Sequence, residues 1–200
     1  MSEITAVPVP PGKMACVVTY LEMIERPAAA GAPKAPPPGL SLRRVAEPSA
    51  DWYRALFRAI GEDWLWVSRL RLSDGDLLAI LRDPRVEVYA LVQDGRDVGL
   101  LELDRRREPD IELAFFGLVP GAIGRGAGRY LMDRAVDLAW RHGPRRFWVH
   151  TCTLDHPAAL TFYVRSGFRP YRQALEIEDD PRVTGLLPRT AAPRHPIFDG

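Results

Sequence analysis

The densest chemical signal in this chain is GAIGRGAGR, Gly121 to Arg129, which runs straight into a helical pattern. Four glycines and two arginines at a helix start bring open backbone N–H groups, a positive helix end and permanent charge to one place. That combination suits a pyrophosphate. Gly126, Ala127 and Gly128 open the helix, and a side chain there would hold phosphate oxygens away from the amides. A P-loop is excluded, because Lys-Ser/Thr would have to follow Gly126 and Ala127-Gly128 stand there instead. A dinucleotide fingerprint is weakened by Arg129 at its third glycine position. The bland alternative is a glycine-rich loop that only turns the chain.

A second cluster, HTCTLDH, holds His150, Cys152 and His156. Strand alternation would put His150 and Cys152 on one face, which raises metal binding or a histidine-activated thiol. No second cluster supplies further ligands, so no metal is expected. Cys152 is expected as a packed thiol, and Cys16 as free rather than disulfide-bonded.

The elements that must position these residues are legible in outline. Residues 1–39 comprise a polar start, a strand at Ala15–Glu25 and a Pro/Ala linker at Arg26–Pro38. A strand from Leu40, a helix opened by Ser49 and a second helix opened by SDGD at Ser73–Asp76 follow. Val86–Val92 and Asp97–Asp104 flank QDGR, a hairpin signal. The spacing then predicts a strand at Asp110–Leu118 and a helix of about four turns after the glycines. That helix buries Leu131, Ala135 and Leu138 beside Met132, Val136 and Ala139. A strand at Arg145–Cys152, a helix over HPAALTFYVRS closed by Gly167, and a strand to Ile177 complete a domain at 40–178. Residues 179–200 read as a tail. The order predicts an α/β (α+β) fold: a mixed, mostly antiparallel sheet with helices on both faces.

In this setting the sequence resembles the Gcn5-related N-acetyltransferase (GNAT) superfamily. That family's pyrophosphate motif follows a strand ending Val-x-Pro. The chain reads Leu118-Val119-Pro120, two residues, then Ile123-Gly124-Arg125-Gly126-Ala127-Gly128. A second family motif corresponds to HPAALTFYVRSGF, His156 to Phe168. The resemblance covers roughly Leu40 to Ile177. It departs at Ile123, where Gln or Arg is usual, and at His156, where Asn is usual.

The resemblance implies acetyl-CoA as donor and CoA as product. Ile123 to Arg129, together with His156 and Ala159, would face the cofactor. Phe116, Gly117 and Leu118 would pair with pantetheine as an added strand where two parallel strands splay at a bulge. Gly117 would give close approach or form the bulge, and the Phe116 N–H would meet the developing oxyanion. Tyr163 matches the family's general acid. Glu112 matches its base, about 13 Å before Phe116 at ~3.3 Å per strand residue, which asks for a water relay. Glu102 is the next candidate. Trp64 and Trp66, with Glu62 and Asp63, would form an aromatic, acidic wall for a cationic amine.

A net charge of +1 over 200 residues excludes a strongly basic nucleic-acid binder. Of the 27 basic residues only Lys13 and Lys34 are lysines, which reads as composition bias. With no signal-peptide pattern and no run approaching ~20 apolar residues, the expectation is a cytoplasmic enzyme without a membrane partner. It would act as monomer or homodimer on a small-molecule or peptide amine. The alternatives are a non-catalytic CoA-binding module of the same fold and a transferase of longer acyl groups.

Overall fold

The computed structural model describes residues 4–27 and 36–200, so most of the expected linker lies outside them. Seven strands form one sheet in the order β2-β3-β4-β5-β6-β1-β7. The strands are β1 (Lys13–Met23), β2 (Leu40–Arg44), β3 (Val86–Gln93), β4 (Arg96–Asp104), β5 (Asp110–Leu118), β6 (Arg146–Cys152) and β7 (Arg169–Asp179). All neighbours are antiparallel except β5 and β6.

Local chemistry explains the ends of the elements. Helix α1 (Ala50–Gly61) starts where Ser49 accepts the Trp52 amide at 3.3 Å. Helix α2 (Asp74–Leu81) starts at Ser73, whose hydroxyl accepts the Asp76 amide at 3.2 Å and donates to the Asp76 carboxylate at 2.7 Å. The β3–β4 turn holds Asp94 and Gly95 at φ 49° and 77°, the positive pair that a two-residue hairpin requires.

Helices α1 and α2 cover one face, where Phe57, Ile60 and Leu77 meet Val88 and Leu100. On the other face α3 (Ala127–Trp140) and α4 (Ala159–Arg165) set Leu131, Ala135 and Phe162 against Leu101, Leu103 and Phe147. All six α3 positions expected to face the core are buried. Each large one contributes about 1.5–3 kcal/mol by its burial.

Two features open the sheet. The β4–β5 register shifts between Glu102↔Phe115 and Leu103↔Leu113, so Ala114 is an extra residue, a bulge that turns β5 over. Below it Ile111 and Leu113 join the α3 core; above it Phe116 and Leu118 do so while Phe115 packs with α1. The pairing of β5 with β6 stops at Glu112↔Trp148. Beyond that point β5 stays with β4 and β6 goes with β1, so the two parallel strands part.

The termini differ from expectation. β1 is shifted two residues toward the N-terminus of the predicted strand, and it lies inside the sheet of its own chain. There Val18 faces Cys152 on one side and Val17 faces Leu175 on the other. Residues 180–200 are not a loose tail: Leu187, Ala191 and Ala192 are buried in the α1 cluster. Arg182, 3% exposed, holds this irregular segment. Its guanidinium meets Asp180 at 2.7 Å and donates to the Ala191, Ala192 and His195 carbonyls. A composition rich in proline and arginine has no periodicity to betray such packing. One buried guanidinium nevertheless satisfies backbone acceptors that no regular element would. The divisions expected at residues 39 and 179 therefore do not follow the packing. Among the described residues no helix is long and apolar enough to cross a membrane.

Candidate active site

The parting of β5 from β6 opens a cleft of about 550 Å³, lined by both strands, the glycine loop, α4, the Trp64–Arg71 segment and β7. From Leu113 onward β5 has no partner on the β6 side, so alternate N–H and C=O groups of Leu113–Leu118 face this space.

At one end lies the start of α3. Gly126 is its N-cap at φ 81°, with no side-chain cap, and Gly124 has φ 86°. A Cβ at either would project into open space, so what requires glycine is the backbone conformation and the room left in front of it. The first amides of α3 are thus free to meet an anion. Ile123, Gly124, Gly126, Gly128 and Arg129 all line the cleft. Arg129 is half exposed and paired with Asp133 at 3.0 Å. Arg125 lines a different hollow, with Gln93, Asp94, Arg96 and Val98. The Ala127 side chain is in the core, which leaves only its amide for a ligand.

Phe116 packs on Phe162 and Tyr163 at ring distances of 5.6 and 6.3 Å. Gly117 is not the bulge, which falls at Ala114. A Cβ at Gly117 would stand 2.4 Å from Ile60 Cγ2 and 3.0 Å from Trp66 Cη2, so its glycine lets α1 and Trp66 close over β5. Tyr163 enters the cleft wall from α4, with no hydrogen bond to its hydroxyl among the described residues. Burial, then the charge of Asp155, pushes its phenol above the usual range.

The two carboxylates considered as bases are placed differently. Glu102 is fully buried, accepting from Tyr53 and from Arg69 at 2.5 Å each; it is a strut between α1 and β4 and lines no part of the cleft. Glu112 does not line the cleft either. Its Oε1 lies 3.6 Å from His150 Nδ1, and His150 is the group that does. That contact raises the imidazole above its ordinary pKa against the opposing effect of burial, and Asp155 and Glu176 add to the rise.

Trp64 and Trp66 both reach the cleft, but their polar and aromatic faces are taken. Trp66 Nε1 donates to Asp155 at 3.0 Å. Trp64 lies between His156, at 4.9 Å, and the Arg194 guanidinium, at 4.1 Å. Glu62 and Asp63 are not part of the lining; the carboxylates in it are Asp155 and, from β7, Glu176 and Glu178. Glu176 accepts from the Tyr20 hydroxyl at 3.3 Å and Glu178 pairs with Arg71 at 2.9 Å. Their i, i+2 spacing on a strand was the available signal for a shared face.

His156 Nδ1 accepts the Ala158 amide at 3.1 Å, and its carbonyl accepts the Ala159 amide at 2.7 Å, so the pair shapes the turn into α4. Asp155 accepts from Trp66, from Thr151 at 2.7 Å and from the Cys152 amide at 2.9 Å, which locks the end of β6. Cys16 and Cys152 are free thiols in the same wall. The hydrogen bond between them, then burial, pushes the Cys152 thiol up, which disfavours a thiolate at that position.

The family model described as Acetyltransferase (GNAT) family matches residues 49–168. The chain belongs to the GNAT family of acetyltransferases. Members of the family generally use acetyl-CoA. The chain is 37% identical over 83 residues to a mycothiol acetyltransferase of Beutenbergia cavernae. That match takes in 40% of this chain and 28% of the relative's length. A structure of a conserved protein of unknown function from Staphylococcus epidermidis superposes with a TM-score of 0.62 at 13% identity, over 84% of this chain and 64% of that one. A GCN5-related N-acetyltransferase from Kribbella flavida superposes with a TM-score of 0.55 at 19% identity, over 85% and 60%. At those identities the likeness is one of fold. The residues present fit the phosphate end of a coenzyme A thioester, because the space beside Gly124 and Gly126 is open and α3 begins uncapped.

Proposed function

We propose that this protein transfers the acetyl group of acetyl-CoA to an amine on a small molecule or peptide, in the cytoplasm. The observation that carries this reading is the parting of β5 from β6 after Glu112 and Trp148, with the open end of α3 beside it. In this reading the amides of residues 126–129 hold the diphosphate and Leu113–Leu118 of β5 align pantetheine as a further strand. The thioester supplies an activated acyl carbon. The Phe116 N–H is assigned to the charge that develops on its oxygen, and the Tyr163 phenol, kept protonated by its surroundings, to the departing sulfur.

His150 is assigned the amine proton. It stands in the cleft wall, and Glu112 behind it favours the imidazolium that proton uptake creates. Glu112 is then a positioning residue. Glu176 and Glu178 at the β7 side favour a cationic acceptor. The similarity to a mycothiol acetyltransferase supports acyl transfer as the chemistry.

The test is thiol release from acetyl-CoA with a library of amines, beside calorimetric titration of CoA. Turnover is expected with cationic amines. CoA binding without thiol release for any amine would make the protein a binding module, and faster turnover of longer acyl-CoAs would revise the donor.

A further inference from the structure

Alternation along β1 and β6 sends successive side chains to opposite faces of the sheet. On one face Leu21, Phe147 and Val149 lie in the cluster under α3 and α4. On the other, Tyr20 stands opposite His150 of β6 and Arg172 of β7, and Trp148 is the next β6 residue on that side. The helices of this second face, α1 and α2, pack on β3, β4 and β5. Tyr20 belongs instead to a small cluster with Cys16, Val18 and Cys152, which holds no helical residue. His150 is exposed, and Tyr20 and Trp148 are half-buried.

These rings form one surface. Tyr20 and Trp148 stack at 6.4 Å and 29°, and His150 lies 5.9 Å from Tyr20 and 6.1 Å from Trp148. A contiguous apolar group left open to water marks a contact site. This one continues the cleft, because His150 belongs to both and the Tyr20 hydroxyl donates to Glu176, a cleft-lining carboxylate.

Charge decides which part of a ligand lies where. The Arg172 guanidinium sits 5.0 Å from the centre of the Tyr20 ring, and Arg146 sits 5.4 Å from that of Tyr171 beside it. Glu22, level with Trp148, is held by Arg146 at 3.5 Å. The rings therefore already carry two cations, which oppose a third, whereas Glu176 and Glu178 at the cleft end attract one. An ammonium group is directed to the cleft end, beside His150. A flat uncharged group is directed to the rings, where offset stacking favours it.

We propose that Tyr20 and Trp148 form an acceptor subsite for a flat aromatic group, so that the acceptor is an amine carrying an aryl ring. The 5.9 and 6.1 Å between His150 and the two rings call for a short linker between ring and nitrogen. The inference rests on the acetyl transfer proposed above, with His150 taking the amine proton. Tyr20 comes from β1, before the residues 49–168 that carry the family likeness, so the surface belongs to the way this chain completes its own sheet.

Phenethylamine and cyclohexylethylamine test it, since they match in charge and length and differ in flatness. In thiol release from acetyl-CoA the aryl amine should have the lower KM by about 2–10-fold, the worth of one aromatic pair. Trp148→Leu and Tyr20→Leu should abolish that preference, with KM for acetyl-CoA unchanged. Tyr20→Phe keeps the ring and removes only the hydroxyl from Glu176, so it should retain the preference. The KM ratio is taken within each variant, so a loss of folded protein does not imitate the result. Calorimetric titration of the CoA-loaded protein with the same two amines reads the surface without turnover. Tighter binding of the aryl amine with no thiol release would keep this subsite and remove the proposed reaction. Equal KM and equal Kd for the two amines in wild type, or a preference that survives both leucine changes, would overturn the proposal.

Discussion

At the scale of single residues, the decisive difference lies between Glu112 and His150. Both sit on strands that border the opening, yet only the imidazole reaches it, with the carboxylate behind. A base must be neutral to accept a proton, and Glu112 raises the pKa of His150 above its ordinary ~6.5. Activity should therefore fall as pH drops through an inflection above that value. Glu112→Gln should move the inflection down toward the ordinary value. His150→Gln should lower kcat about 10²–10⁴-fold, the usual contribution of a positioned base, with CoA affinity kept. A pH profile of kcat/KM for the three proteins checks this, and an inflection unmoved in Glu112→Gln would separate the two residues. The family resemblance pointed to Glu112, which lies on the same strand as Phe116. Whether its side chain or its neighbour's fills the opening depends on the parting of β5 and β6.

At the scale of elements, the glycine loop and the helix after it were readable because their signals are local. Positive φ at Gly124 and Gly126, the uncapped start of α3 and its buried stripe all follow from residues within a few positions. Gly126→Val should weaken CoA binding, since it adds bulk before the amides and is strained at φ 81° by about 1–3 kcal/mol. Gly121 has open space and no positive φ, so Gly121→Val serves as the control and should leave affinity and melting temperature unchanged. Calorimetry of both variants with CoA checks the contrast. The Ala114 bulge was not legible, and Gly117 was expected to give either close approach or the bulge itself. A bulge is a mismatch of lengths between two strands, which neither strand carries alone.

At the scale of the whole molecule, the two ends of the chain complete the fold. β1 joins β6 to β7, and Arg182 binds the closing segment to Asp180 and four backbone carbonyls. Arg182→Met would leave the buried Asp180 without its partner, at a cost of about 3–5 kcal/mol. Thermal melts should show a large drop. The sign with pH also follows. Burial alone would raise the Asp180 carboxyl, but its hydrogen bonds from Arg182 prevail and hold it below the carboxylate range. Its stabilisation is present above the unfolded pKa of ~3.9 and fades as pH falls through the folded value. Acid titration of the melting temperature should consequently be shallower in Arg182→Met than in wild type. From the sequence alone came the alternating and helical periodicities, the capping residues, the hairpin turn and a glycine-rich helix start, and these were enough for the fold class. Only the folded chain decided that β1 belongs inside the sheet, that residues 180–200 pack, and that β6 and β7 line the cleft while Glu62 and Asp63 do not. The reason is physical: propensity and capping act over a few residues, whereas strand order and side-chain access depend on contacts between segments more than a hundred positions apart.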